Sequence, residues 1–260
     1  TSFSFKDKDE RYVAADIVDF NGAKAINKET GESLAFQIEK MAKSKLNVVN
    51  PDIIIEGYGS DSFRLYEMFM GPLDRDKPWT DEGVQGVHRF LKRAWSLFVT
   101  EDGQLSPRIV EDGGDESMLK VLHHTIKSVS HDLEGLLFNT AISRMMEFVN
   151  AAMKVDRVNK ASMEQFIQLL APFAPHMAEE IWQRLGHGDT LTYEPWPTHD
   201  EKYLVEDTVE IPVQVNGKMR ARISVAADAD KDTILAAAKG DAKIAQHLDG
   251  KNIVKEIYVP

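Results

Sequence analysis

The 260 residues carry 31 Lys and Arg against 42 Asp and Glu, a formal net charge of −11, with 43% hydrophobic residues and no cysteine. This is the mix of a globular chain able to bury a core, and its acidity excludes diffuse, whole-surface attraction to nucleic acid, so any polyanion contact must be local. The missing cysteines exclude disulfides, thiol nucleophiles and cysteine-bound zinc; no long apolar run and no basic leader followed by an apolar stretch is present, so no membrane partner is expected and the cytoplasm is the default compartment.

Residues 1–38 alternate polar and apolar patches ("RYVAADIVDF", "SLAFQI") around Asn21-Gly22 and Thr30-Gly31, which predicts short strands joined by tight turns. The stretch "EKMAKSKLN" then gathers Lys40, Lys43 and Lys45 on a segment without apolar periodicity. Asn50-Pro51-Asp52 offers an N-cap, a proline at the first helical position and an acidic first turn, so a short helix is expected through Ile53–Glu56. A second is expected from Ser60 to Gly71-Pro72.

From about 80 to 186 the helical period dominates. In 81–98, Val84, Val87, Leu91, Ala94, Trp95 and Phe98 recur at three- and four-residue intervals, with Arg89, Lys92, Arg93 and Ser96 on the opposite side. The segments 116–133, 139–154 and 161–185 behave alike, the last interrupted where Pro172 and Pro175 must break it. The expected result is a helical bundle with its apolar faces turned inward. A Gly-, Pro- and Thr-rich stretch, 187–206, reads as a linker around Pro195-Trp196-Pro197.

Beyond it the period changes to two. Val209, Ile211, Val213 and Val215 form one strand pattern, and Met219, Ala221, Ile223 and Val225 another. A two-residue Asn216-Gly217 turn would pair Val213 with Arg220, mixing apolar with charged on one face. A three-residue loop over 215–217, with Gly217 left-handed, pairs Val213 with Met219 and Ile211 with Ala221, and that register is expected. Asp230 caps a helix through Thr233–Ala238, a second runs near Ala242–Leu248, and Ile253, Val254, Ile257 and Val259 predict a closing strand. The fold expected is mainly α: a helical bundle preceded by a small β-rich segment and followed by an α/β domain of order ββααβ.

Three basic groups stand out. The lysine cluster suits an anion-binding loop, since lysine is a compact point charge able to follow developing phosphate charge; the alternative is a solvated lysine-rich loop. Arg89, Lys92 and Arg93 share one helix face, suited to phosphate contacts or merely exposed. Lys218, Arg220 and Arg222, with Lys251 and Lys255 in the same domain, suit a nucleic-acid backbone, or else protect a strand edge from mispairing. His176 reads as a structural, hydrogen-bonded histidine, and Trp79, Trp95, Trp182 and Trp196 as core or linker anchors. The histidines lack metal-binding spacing, and the acidic 111–116 run lacks that of a calcium loop, so no metal site is expected.

In order along 36–260, these stretches resemble the C-terminal part of the bacterial leucyl-tRNA synthetase family, class I aminoacyl-tRNA synthetases. "KMAKS" (Lys40–Ser44) is similar to the family's KMSKS loop, "GYGSDSFRLYEMF" to the segment after it, and "PWTDEGVQGVHRFLKRAW" to the start of the anticodon-binding bundle. "FNTAISRMMEFVN" and "LLAPFAPHMAEEIW" are similar to pieces shared in outline with the isoleucyl and valyl enzymes. "VQVNGKMRARISV" and "HLDGKNIVKEIYVP" resemble the small C-terminal domain typical of the bacterial leucyl enzyme.

The resemblance implies attachment of leucine to its tRNA through leucyl-adenylate, with ATP as substrate together with Mg2+ in the full enzyme and no cofactor on this part. Lys43 would bind the ATP phosphates and stabilise the transition state, with Lys40 and Ser44 supporting the loop; Ala42 stands where the motif has its central serine. Arg89, Lys92, Arg93, Lys218, Arg220, Arg222 and Lys251 would face leucine tRNA, and the protein would be a monomer. The divisions implied are 1–35 (the end of a leucine-specific insertion), 36–75 (the loop and connecting helices), 76–186 (the bundle), 187–206 (a linker) and 207–260 (the tRNA-binding domain). The nucleotide-binding half, with its HIGH motif, is not among these residues, so the chain alone is expected to be inactive; a Thr start and an abrupt Ile-Tyr-Val-Pro end also suggest a piece of something larger. A free-standing, non-catalytic RNA-binding module is the alternative.

Overall fold

The computed structural model describes residues 1–205, 208–226 and 229–258. The chain divides into two compact units, Thr1–Asp200 and Glu201–Pro260.

The first unit opens with five short strands, β1 (Ser2–Lys6), β2 (Tyr12–Val13), β3 (Val18–Phe20), β4 (Ala25–Asn27) and β5 (Ser33–Glu39), in one antiparallel sheet ordered β2-β1-β5-β4-β3. Two asparagines build the predicted turns. Asn21 Oδ1 accepts the backbone N–H groups of Ala23 and Lys24, and Asn27 Oδ1 those of Glu29 and Thr30. Each side chain substitutes for a backbone acceptor, which is why Asn is favoured there. One face of the sheet buries Phe5, Val18, Ala25 and Leu34, extended by a ring cluster in which Phe20 lies 4.7 Å from Phe3 and 4.8 Å from Phe36. Strand β5 continues straight through residues 35 and 36 to Glu39, so the sheet delivers the chain directly to the lysine segment.

Seven helices follow in this unit: α1 (Pro51–Tyr58), α2 (Ser60–Phe69), α3 (Asp81–Phe98), α4 (Ser117–Glu134), α5 (Phe138–Ala152), α6 (Lys160–Leu170) and α7 (Pro175–Arg184). Asn50 caps α1 as expected, its side chain accepting from the Asp52 N–H. Gly59, at φ 85°, ψ 155°, ends α1 and starts α2, a backbone conformation that suits glycine. On α3 the periodic positions Val84, Val87, Leu91, Ala94 and Phe98 are buried, and so are Phe90 and Leu97. The apolar stripe is wider than the sequence reading because α3 meets α2, α5 and α7 rather than a single neighbour. Where α2 and α3 cross, a Cβ on Gly83 would lie 2.3 Å from the Tyr66 ring, so the close approach requires glycine.

The loop after α3 is pinned by Arg108, whose guanidinium donates to the carbonyls of Ala152 and Val155. Pro175 is the first residue of α7, which converts the predicted break into a helix start. The stretch beyond α7 stays on this unit. His187 stacks on Trp182 with ring centroids 3.6 Å apart and bonds Glu164 at 2.8 Å, Leu191 is buried, and the Trp196 indole N–H donates to Ser130 Oγ at 2.8 Å.

The second unit contains β6 (Thr208–Val215), β7 (Lys218–Ala226), α8 (Lys231–Gly240) and α9 (Ala242–Leu248). Asp230 caps α8 by accepting the Thr233 N–H. The hairpin corrects the expected turn: Val215 pairs with Lys218, so the loop is the two-residue Asn216-Gly217, with φ of 53° and 75°. A register shift beyond Val213/Gln214 then leaves Arg220 as an extra residue, and Val213 pairs with Ala221, Ile211 with Ile223 and Val209 with Val225. The bulge resolves the clash of faces that had argued against the short turn. Met219, expected on the apolar face, is 58% exposed.

The predicted closing strand is also corrected. Residues 251–258 form no ladder, Val254 is 98% exposed, and Val259 lies outside the described residues. Adjacent Ile253 and Val254 would point to opposite faces of a strand, and only Tyr258 of this segment joins the small core of Ile223, Val225 and Ile234. Among the described residues the order is therefore ββαα.

Candidate nucleic-acid interface

The lysine loop is built from its ends inward. Asn47, 2% exposed, accepts the Ala42 N–H at 2.9 Å and donates through Nδ2 to Ser4 Oγ at 2.9 Å, tying the loop's two sides to each other and to β1. Between them Lys43–Lys45 makes one 3-10 turn closed by Leu46 at φ 53°. Lys45 is not an available cation: its Nζ lies 2.6 Å from Glu39 Oε1. Lys40, Lys43 and Ser44 are exposed, and neither Lys40 nor Lys43 has an ion-pair partner among the described residues. The loop therefore uses one lysine to hold its shape and presents two to solvent.

The hydrogen bond from Lys45 holds the Glu39 carboxyl down at about 2, and the same bond raises the Lys45 ammonium. Because the Glu39 value is depressed when folded, its contribution is complete above the ordinary carboxylate value near 4.5 and is lost as pH falls through about 2. The Lys45 contribution is complete below its ordinary 10.5 and is lost as pH rises through the raised folded value. The tether is thus intact across the neutral range. A carboxyl-carbon NMR titration of Glu39 is expected to show a midpoint near 2; a midpoint near the ordinary 4.5 would mean that the ion pair does not form.

On α3, Arg89, Lys92 and Arg93 are all exposed on one face, as the spacing predicts. In the second unit Lys218, Arg220 and Arg222 are exposed along β7, with Arg222 Nη1 3.6 Å from Glu210 Oε2 across the hairpin. Both members of that pair are more than half exposed, so it holds Arg222 only weakly. Lys251 is exposed and donates to the His247 carbonyl at 3.2 Å. Within each unit the basic side chains thus project outward from helix, turn or strand.

His176 is structural, and its partner is one the sequence reading missed. Asp61, 9% exposed at the start of α2, takes the His176 Nδ1 at 2.7 Å and the Met177 N–H at 2.7 Å. In the sequence Asp61 reads only as an acidic residue in the first turn of its own helix, and nothing local points to α7. No group of three metal-ligating side chains gathers among the described residues.

Residues 115–235 match the family model described as the anticodon-binding domain of tRNA ligase. Among solved structures, the chain is similar to a leucyl-tRNA synthetase, agnB2 of Agrobacterium radiobacter K84, determined as a ternary complex with tRNA and LeuAMS. The match has 27% identity and a TM-score of 0.67, and it covers 85% of this chain. The chain spans 30% of the length of that enzyme. The domain match and the structural match agree: the chain carries an anticodon-binding domain of the tRNA-ligase type and is similar over most of its length to a leucyl-tRNA synthetase.

Proposed function

We propose that this chain is the tRNA-docking part of an enzyme that joins leucine to its tRNA through leucyl-adenylate, and that its Lys40–Ser44 loop serves the ATP step. The observation that carries this reading is the 27% identity over 85% of the chain to a leucyl-tRNA synthetase held with tRNA. Lys43 is exposed and without an ion-pair partner among the described residues in an otherwise tethered loop, which supports a role on the ATP phosphates, with Mg2+ accompanying the nucleotide. Lys40 and Ser44 support the loop. Arg89, Lys92 and Arg93 on one unit, and Lys218, Arg220, Arg222 and Lys251 on the other, contact tRNA phosphates. The chain works as part of a cytoplasmic monomer and is inactive without the nucleotide-binding half.

A salt titration tests the docking role. The chain is expected to bind leucine tRNA more tightly than a tRNA with a short variable arm, with affinity falling steeply as salt rises. Changing Lys218, Arg220 and Arg222 together to Ser should flatten the slope of log affinity against log salt by about 2 to 3, since each lost phosphate contact removes about 0.7 to 0.9. Equal binding to both tRNAs, or an unchanged slope, would assign the stripe to edge protection instead.

A further inference from the structure

Beside the apolar packing of Leu65 and Tyr66 in the bundle core, one buried carboxylate joins α2 to the start of α7. Helix α7 starts at Pro175 with Ala174 as its cap, and no side chain of its own caps it. Its first N–H groups would be left unsatisfied. Asp61 supplies the cap from another helix: Oδ2 accepts the Met177 N–H at 2.7 Å, and Oδ1 takes His176 Nδ1 at 2.7 Å and, at 3.4 Å, the His176 N–H. Asp61 also sits in the first turn of α2, so its negative charge lies at the positive ends of two helices at once. One turn further along α2, Arg64 Nη2 donates to the Pro172 carbonyl at 3.0 Å, and both contacts grip the same proline-broken junction between α6 and α7.

Upstream, the chain from Asp61 leads through the Gly59 bend and the Asn50-capped α1 to Asn47, which is bonded to the loop at Ala42. That path runs back through the Gly59 bend, α1 and the irregular residues 47–50 and ends at the Asn47 hydrogen bonds. We infer that Asp61 is a positioning residue: by capping α7 in trans it fixes where the α1–α2 pair, and with it the Lys43 loop, stands on the bundle. This rests on the proposed role of Lys43 in the ATP step.

The test uses the full-length enzyme of which this chain is a part. Leucine-dependent ATP–pyrophosphate exchange is measured for Asp61→Ala, Asp61→Asn and Lys43→Ala, at a temperature at which circular dichroism shows each variant folded. Asp61→Ala is expected to lower kcat about tenfold to a hundredfold with the KM for leucine unchanged, because a reacting group displaced by about an ångström loses rate rather than affinity. Asp61→Asn, which keeps one acceptor oxygen, should fall between the two and remains informative if the Ala variant does not fold. If both Asp61 variants melt earlier but turn over at the wild-type kcat while Lys43→Ala is impaired, Asp61 is a cap and nothing more. If Lys43→Ala is itself unimpaired, the reading of the loop fails first.

Discussion

If the Lys40–Ser44 loop serves the ATP step as proposed, replacing Lys43 by Ala in the full-length enzyme should slow leucyl-adenylate formation by about a hundredfold to a thousandfold, the usual cost of removing one positioned group that stabilises developing charge. Geometry distinguishes this lysine from its neighbours. Lys45 is engaged with Glu39 at 2.6 Å, so its loss should loosen the loop rather than remove a phosphate ligand. Lys40 lies before the Ala42–Asn47 bond, at the end of β5, whereas Lys43 opens the 3-10 turn at the loop's tip. Lys40→Ala and Ser44→Ala should therefore cost less than Lys43→Ala. Arginine is not an equivalent replacement at Lys43, because its planar fork differs in shape and reach from a compact point charge set against the departing pyrophosphate. Pyrophosphate exchange with saturating leucine gives the comparison directly; a Lys43→Ala enzyme that exchanged at the wild-type rate would remove the loop from the chemistry.

What the sequence made legible follows the strength of the local signal. The Asn50 cap, the break at Pro175 and the Asp230 cap each have a single-residue cause, and all three stand where the pattern placed them. Helix α9 begins and ends at the expected residues because Asp241 and the Asp249-Gly250 turn bound it. Competing signals were harder to resolve. At the hairpin, turn chemistry favoured a two-residue loop and face alternation opposed it; the bulge at Arg220 satisfies both, and nothing in the local sequence announces it. The expected closing strand rested on apolar content alone, and 251–258 has no ladder partner among the described residues. At the candidate site the exposed lysines were legible as a cluster. Their division of labour was not, since Glu39 takes Lys45 only once the turn folds back on the end of β5 and Asn47 is held by Ser4, 43 positions away on β1. Asp61 was invisible because its partner lies 115 positions away.

The largest stability effect is expected deep in the bundle, at Phe166. Its ring stacks on Phe148 with centroids 4.3 Å apart and planes 17° from parallel, and both side chains are almost wholly excluded from solvent. Met145, Ile142, Met163 and Ile167 share that core and are equally buried, so the surroundings have little freedom to collapse into a vacated space. Phe166→Ala should then cost about 3 to 5 kcal/mol, the sum of lost burial, lost ring contact and residual cavity. For a unit of this size that lowers the melting temperature by about 10 °C and consumes much of a net stability of about 5 to 15 kcal/mol. Tyr193→Ala is the matched control: this ring is 87% exposed, and its loss should change stability by less than about 0.5 kcal/mol. Denaturant melts of the two variants against wild type decide the point. A Phe166→Ala protein as stable as Tyr193→Ala would mean that the stacked pair is not the centre of the bundle core, and that α5 and α6 are held together by contacts elsewhere.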